Sequence, residues 1–115
     1  MLTASMVFFA LAILGGLTMA VLHFLHKKIP LALGLGHGSL AVTGLVLLLL
    51  VVFKQGTAGM LAVAAGTFGV AALGGLGLIS FALRDRRLPT PLLVLHALLA
   101  LTGFFLLLSV ALTPP

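Results

Sequence analysis

Four stretches of the chain, 4–25, 31–53, 58–83 and 90–112, contain no Asp, Glu, Lys or Arg. Each supplies the run of about 20 mostly apolar residues that a helix needs to cross a bilayer. The charged side chains are confined to the gaps: Lys27 and Lys28, then Lys54, then Arg84, Asp85, Arg86 and Arg87. A soluble domain carries about a quarter charged residues, whereas this chain has 6% and is 63% hydrophobic. A 115-residue chain cannot bury that much apolar surface from water. The expectation is an all-α integral membrane protein: four transmembrane helices in one domain, 1–115. Strands are excluded, because an open sheet edge cannot sit in lipid and the alternation of a barrel is absent.

The gaps between the helices are short. His26-Lys27-Lys28-Ile29-Pro30, Lys54-Gln55-Gly56-Thr57 and Arg84 to Pro89 are expected as turns, with Thr113-Pro114-Pro115 closing the chain. Pro30, Pro89 and Pro91 fall at helix starts, where a missing N–H costs little. The apolar N-terminus lacks the basic region of a signal peptide and exceeds the usual length of its apolar core, so a retained first helix is expected. There is no cysteine, hence no disulfide and no thiolate chemistry. The net charge of +5 sits in membrane loops and does not point to nucleic acid. By the positive-inside rule the first and third loops are expected in the cytoplasm, with both termini outside, as in a bacterial inner membrane.

Sliding the chain along itself until Gly15 falls on Gly74 aligns its halves without a gap. Of 48 positions, 6–53 on 65–112, 17 are identical. The informative matches are Gly15-Gly16 with Gly74-Gly75, Pro30 with Pro89, His37 with His96, Ala41 with Ala100, and Thr43-Gly44 with Thr102-Gly103. Lys27-Lys28 also falls on Arg86-Arg87. We read this as a tandem repeat of a two-helix hairpin, about 4–53 and 58–112. Two spans per unit give both units the same topology, which predicts a pseudo-twofold axis along the membrane normal.

Each repeat carries one histidine seven residues after its proline, about 10 Å into the helix at 1.5 Å per residue. His37 and His96 should therefore occupy equivalent sites at one depth, facing each other across the bundle axis. His23, seven residues before Pro30, should reach a similar depth, although its repeat mate is Ala82. Small residues share the histidine faces: Gly34, Ala41 and Gly44 on the second helix, Ala100 and Gly103 on the fourth.

An intramembrane ionisable residue is costly and marks function by default. Imidazole is a strong axial ligand of haem iron, and bundles hold haem between histidines on facing helices. His37 and His96 are accordingly candidate ligands of a haem b iron, with His23 as a further candidate. Lys27, Lys28, Arg86 and Arg87 could then pair with the propionates, and the two Gly-Gly steps could clear the macrocycle. The layout resembles the four-helix membrane-bound b-type cytochromes across the whole chain. That resemblance implies helix histidines ligating haem b in an electron-transfer subunit of a larger respiratory or photosynthetic complex, with a quinone as one electron partner.

Other readings stay open. A magnesium (bacterio)chlorophyll would need one axial histidine. A cofactor-free accessory subunit would use its histidines structurally, bonded to a carbonyl or to Ser39, Thr18, Thr43 or Thr102. A histidine-only copper or zinc site would need His23, His37 and His96 to converge. His26 is expected to be interfacial, and Met6, Met19 and Met60 to pack. The runs 45–52 and 104–108 are expected to face lipid. Small multidrug transporters depend on an intramembrane glutamate, and here the one acid lies in a loop. No independent enzyme is expected, because no membrane carboxylate can orient a histidine and no exposed serine pairs with one.

Overall fold

The structure, a computed structural model, describes residues 1–56 and 59–113. It is all-helical: α1 is Leu2–Phe24, α2 Leu31–Gln55, α3 Met60–Leu83 and α4 Thr90–Leu112. All four are long and apolar enough to cross a membrane, which defines an integral membrane protein. At 1.5 Å per residue each spans about 35 Å, slightly more than a hydrocarbon core of about 30 Å. The bundle measures 46 × 22 × 20 Å.

Helix ends differ modestly from expectation. Lys54 and Gln55 are helical rather than part of the second turn, and α2 stops at Gly56, whose φ of 95° suits glycine. Thr57 and Ala58, where a turn and the start of the third helix were expected, lie outside the described residues, as do Pro114 and Pro115. Pro30 and Pro89 are the N-cap residues of α2 and α4.

The ends of α1 and α3 share one device. His26 and Asp85, which coincide when Gly15 is laid on Gly74, both adopt left-handed φ values, 56° and 54°. The His26 N–H donates to His23 O and the Lys27 N–H to Leu22 O; the Asp85 N–H donates to Ala82 O and the Arg86 N–H to Phe81 O. These are paired 5→2 and 6→1 bonds of the Schellman type, which satisfy the last helical carbonyls. Each lets the chain turn sharply into the following basic loop.

Packing is close within the pairs α1–α2 and α3–α4 and looser between them. The core lies toward the end opposite the basic loops. Phe9, Leu48, Val52, Ala64, Ala65, Phe68 and Leu107 form one buried cluster. At its centre the Phe9 and Phe68 rings stack with centroids 3.7 Å apart and planes 4° from parallel. Gly44 and Gly103 allow this: a Cβ on either would lie 3.2 Å from the Phe9 or the Phe68 ring. The runs 45–52 and 104–108 are therefore not wholly lipid-facing. Leu48, Val51, Val52 and Leu107 are buried, while Val46, Leu50 and Phe105 face outward. Toward the basic end α2 has no buried residue before Gly44.

Several exposed hydroxyls are settled within their own helices. Thr18, Ser39, Thr43, Thr67 and Thr102 each donate to the carbonyl four residues back, so none of the five meets lipid unpaired. Ser5 instead donates across to Gly44 O at 2.8 Å and is fully buried.

Candidate functional site: a pair of helix histidines

His37 sits on α2 and His96 on α4, each seven residues beyond its proline. Both are half-buried. The ring centroids are 6.1 Å apart and the planes cross at 79°. The two imidazoles thus lie close together, one from each helix pair, with nearly perpendicular planes.

Each ring is held by the other helix of its own pair. His37 Nδ1 donates to Ala12 O on α1 and His96 Nδ1 to Ala71 O on α3, both at 2.7 Å. A carbonyl can only accept, so the proton of the neutral ring lies on Nδ1 and the Nε2 lone pair is free. Neither Nε2 has a hydrogen-bond partner among the described residues. No buried side-chain nitrogen or oxygen among them lacks a partner, so both Nε2 atoms keep accessible surface. A carbonyl bond of this kind is found in metal-ligating histidines, and it is equally the bond expected of a structural histidine held to a neighbouring helix.

The glycine steps serve the imidazoles. A Cβ on Gly16 would lie 3.1 Å from His37 Cε1, and one on Gly75 3.2 Å from His96 Cε1; Gly15 and Gly74 abut the same side chains. The expected clearance for a macrocycle is thus taken by the histidine rings. The hydroxyls of Thr18, Ser39, Thr43 and Thr102 are not the histidines' partners, because each bonds its own helix. Sequence could not show the true acceptors, because a backbone carbonyl has no residue signature.

One turn toward the basic end the two helix pairs diverge. Leu93 and Leu78 are buried on α4 and α3. Their counterparts in the first half of the chain are Gly34 and Met19. A Cβ on Gly34 would meet only Met19 Sδ, at 3.9 Å. The packing beside His37 is therefore more open than that beside His96.

His23 belongs to a different layer. Its Nε2 and Thr90 Oγ1 share a hydrogen bond of 3.0 Å, and Thr90 is the first residue of α4, six residues before His96. At 1.5 Å per residue that is about 9 Å nearer the helix start. The expected common depth of His23 and the pair is corrected accordingly. Among the described residues no three histidine or carboxylate side chains gather, so the convergence of His23, His37 and His96 is not seen.

At the rim, Arg87 Nη1 donates to His26 Nδ1 at 2.7 Å, joining the α1 end to the loop before α4. Arg84 donates to Ser80 O at 3.1 Å and lies over the Phe81 ring. Lys27, Lys28 and Arg86 are exposed in the same two loops.

No protein-family model matches the chain, and no characterised protein and no solved structure matches it.

Proposed function

We propose that the protein is a membrane electron-transfer subunit that binds one haem b through Nε2 of His37 and Nε2 of His96, within a larger respiratory or photosynthetic complex. The chain is read as a tandem duplication of a two-helix hairpin about a pseudo-twofold axis along the membrane normal. The basic loops face the cytoplasm and both termini face outward. Contacts that recur in the two halves at one constant offset support the duplication: Ala12 and Ala71 with the histidines, Gly16 and Gly75 beneath them, and the two left-handed caps.

The observation that carries the reading is the pair of accessible Nε2 lone pairs, each ring locked by Nδ1, at a centroid spacing of 6.1 Å. The residues fit the group. The 6.1 Å centroid spacing leaves room for one metal ion between the rings, which His37 and His96 would hold through their Nε2 atoms. The core is concentrated at the far end, so the basic half has fewer buried contacts to rearrange around a ligand. When bound, haem supplies a reversible one-electron couple. The chain's own part is to fix both tautomers, set the crossed ring planes, and place Lys27, Lys28, Arg86 and Arg87 near the rim as cationic partners for carboxylates. A single chlorophyll held by one histidine would use only one of the two unpartnered Nε2 lone pairs.

An absorption spectrum of the protein purified from haem-replete cells tests the proposal. A Soret band and a reduced α-band, lost in His37→Ala and in His96→Ala but retained in His23→Ala, are expected. A colourless but folded protein would overturn it, and red or near-infrared absorbance would point to chlorophyll.

A further inference from the structure

We propose that the basic end is the electron port of the histidine pair and that it docks an acidic one-electron carrier protein. The inference rests on the haem reading above and adds where the electron enters and what brings it.

Three observations converge on one end of the molecule. The first is depth. His37 is six residues from Leu31, the start of α2, but 18 from its end at Gln55. At 1.5 Å per residue these are about 9 and 27 Å. His96 is six from Thr90 and 16 from Leu112, about 9 and 24 Å. Electron tunnelling falls exponentially with distance, so exchange through the far end is negligible beside exchange through the near one.

The second is packing. The far half is sealed by the Phe9–Phe68 stack with Leu48 and Leu107, both fully buried. In the near half Gly34 stands at the offset where the second half has the buried Leu93, and a Cβ there would meet only Met19 Sδ, at 3.9 Å. The packing on the basic side of the pair is thus loosest beside Gly34 and Met19.

The third is charge. Five Lys and Arg and one Asp lie in the two loops of this end, against Lys54 alone among the Lys and Arg of the other. Topology alone accounts for cations in these loops; it does not account for the redox site lying nearest them. The bundle's cross-section, from its two short dimensions of 22 and 20 Å, is about 440 Å². Weak electron-transfer complexes bury under about 1,200 Å² in total, or about 600 Å² per partner. An acidic docking face steered by these cations matches both area and sign.

The test uses the full chain, reduced and oriented in phosphatidylcholine vesicles, with ferricyanide as a membrane-impermeant anionic oxidant. Each ferricyanide takes one electron from the protein and becomes ferrocyanide. Oxidation from the basic face is expected to be at least tenfold faster than from the opposite face. It is expected to slow severalfold with added salt and in K27Q/K28Q/R86Q, and Gly34→Leu should slow it without removing the haem bands. Polyglutamate, a mimic of an acidic protein surface, should inhibit at low salt. Equal rates from both faces would overturn the port. Absence of polyglutamate inhibition, or its abolition once phosphatidylglycerol is included, would overturn the protein partner and assign the cations to lipid. A protein without haem bands would fell the haem reading and the port with it, whereas haem bands with symmetric rates fell the port alone. A haem-independent readout uses the absence of native cysteine. In His37→Cys, or in Ala41→Cys should the first not fold, an impermeant maleimide should label from the basic face and not from the other. Equal labelling from both faces would overturn the port irrespective of haem.

Discussion

At the scale of single residues, the glycines under the histidines are the most sensitive positions. Gly16 and Gly75 each leave just enough room for an imidazole edge. Adding a methyl forces the ring or the helix to move, so Gly16→Ala and Gly75→Ala should each destabilise by about 1–3 kcal/mol. Gly38 faces open space, and there the same change should stabilise by up to about 1 kcal/mol through helix propensity. Reversible unfolding in mixed micelles separates the two outcomes. Equal effects at all three sites would refute the contact assigned to the glycines. Ser5 is a milder case. Its bond to Gly44 O is buried, yet the equivalent site is Ala64, which is also fully buried. Ser5→Ala should therefore cost only about 0.6 kcal/mol, the usual value of an interhelical hydrogen bond in a membrane protein. The histidines and their glycines were legible in the sequence because they recur in both halves at the same offset. Ser5 was not, because nothing in the local pattern separates a hydroxyl aimed at a neighbouring carbonyl from one folded back on its own helix.

At the scale of elements, the four spans were legible because charge is absent from them, a signal needing no knowledge of packing. The ends were less so. Lys54 and Gln55 continue α2 because a polar side chain at a helix end can reach the interface without breaking the backbone ladder. The caps at His26 and Asp85 are not legible in the sequence because the usual marker, glycine, is missing. A non-glycine residue in this conformation costs about 1–2 kcal/mol, with Asp and His among the better tolerated. Asp85→Gly should raise stability by about 1 kcal/mol. Asp85 is the better site for the measurement, because His26→Gly would also remove the acceptor of Arg87. A lower melting temperature for Asp85→Gly would show that its side chain does more than occupy the cap.

At the scale of the whole molecule, the asymmetry between the two ends dominates. The stacked phenylalanines and their cluster hold the helix pairs together at one end, and the histidines meet at the other side of that core. Phe9 and Phe68 occupy matching positions, but in an apolar chain a recurring Phe reads like any other lipid-facing residue. The stack itself was not legible. Lipid is as apolar as the core, so Phe9→Ala loses packing rather than hydrophobic burial. Aromatic contact beyond area is worth about 0.5–1.5 kcal/mol, and a loss on that scale is expected; on the haem reading the haem bands are retained. Orientation has its own test. Single cysteines at Lys28 and Gly56 in the intact membrane should label from opposite sides, Lys28 from the cytoplasm. The reverse pattern would invert the topology inferred from the loops.

The acceptors at Ala12 and Ala71 have a consequence for assembly. Each carbonyl belongs to the same helix pair as the histidine it orients, so no ring depends on the other half of the chain for its tautomer. On the haem reading each half is a prefabricated monodentate ligand, and docking the halves is chelation by two preset arms. Residues 1–56 and 59–115, expressed as separate polypeptides in one cell, should complement each other and recover the coloured protein. Neither fragment with its own histidine replaced by alanine should do so. Covalent continuity through the middle loop would be a convenience of stoichiometry rather than a requirement of the site.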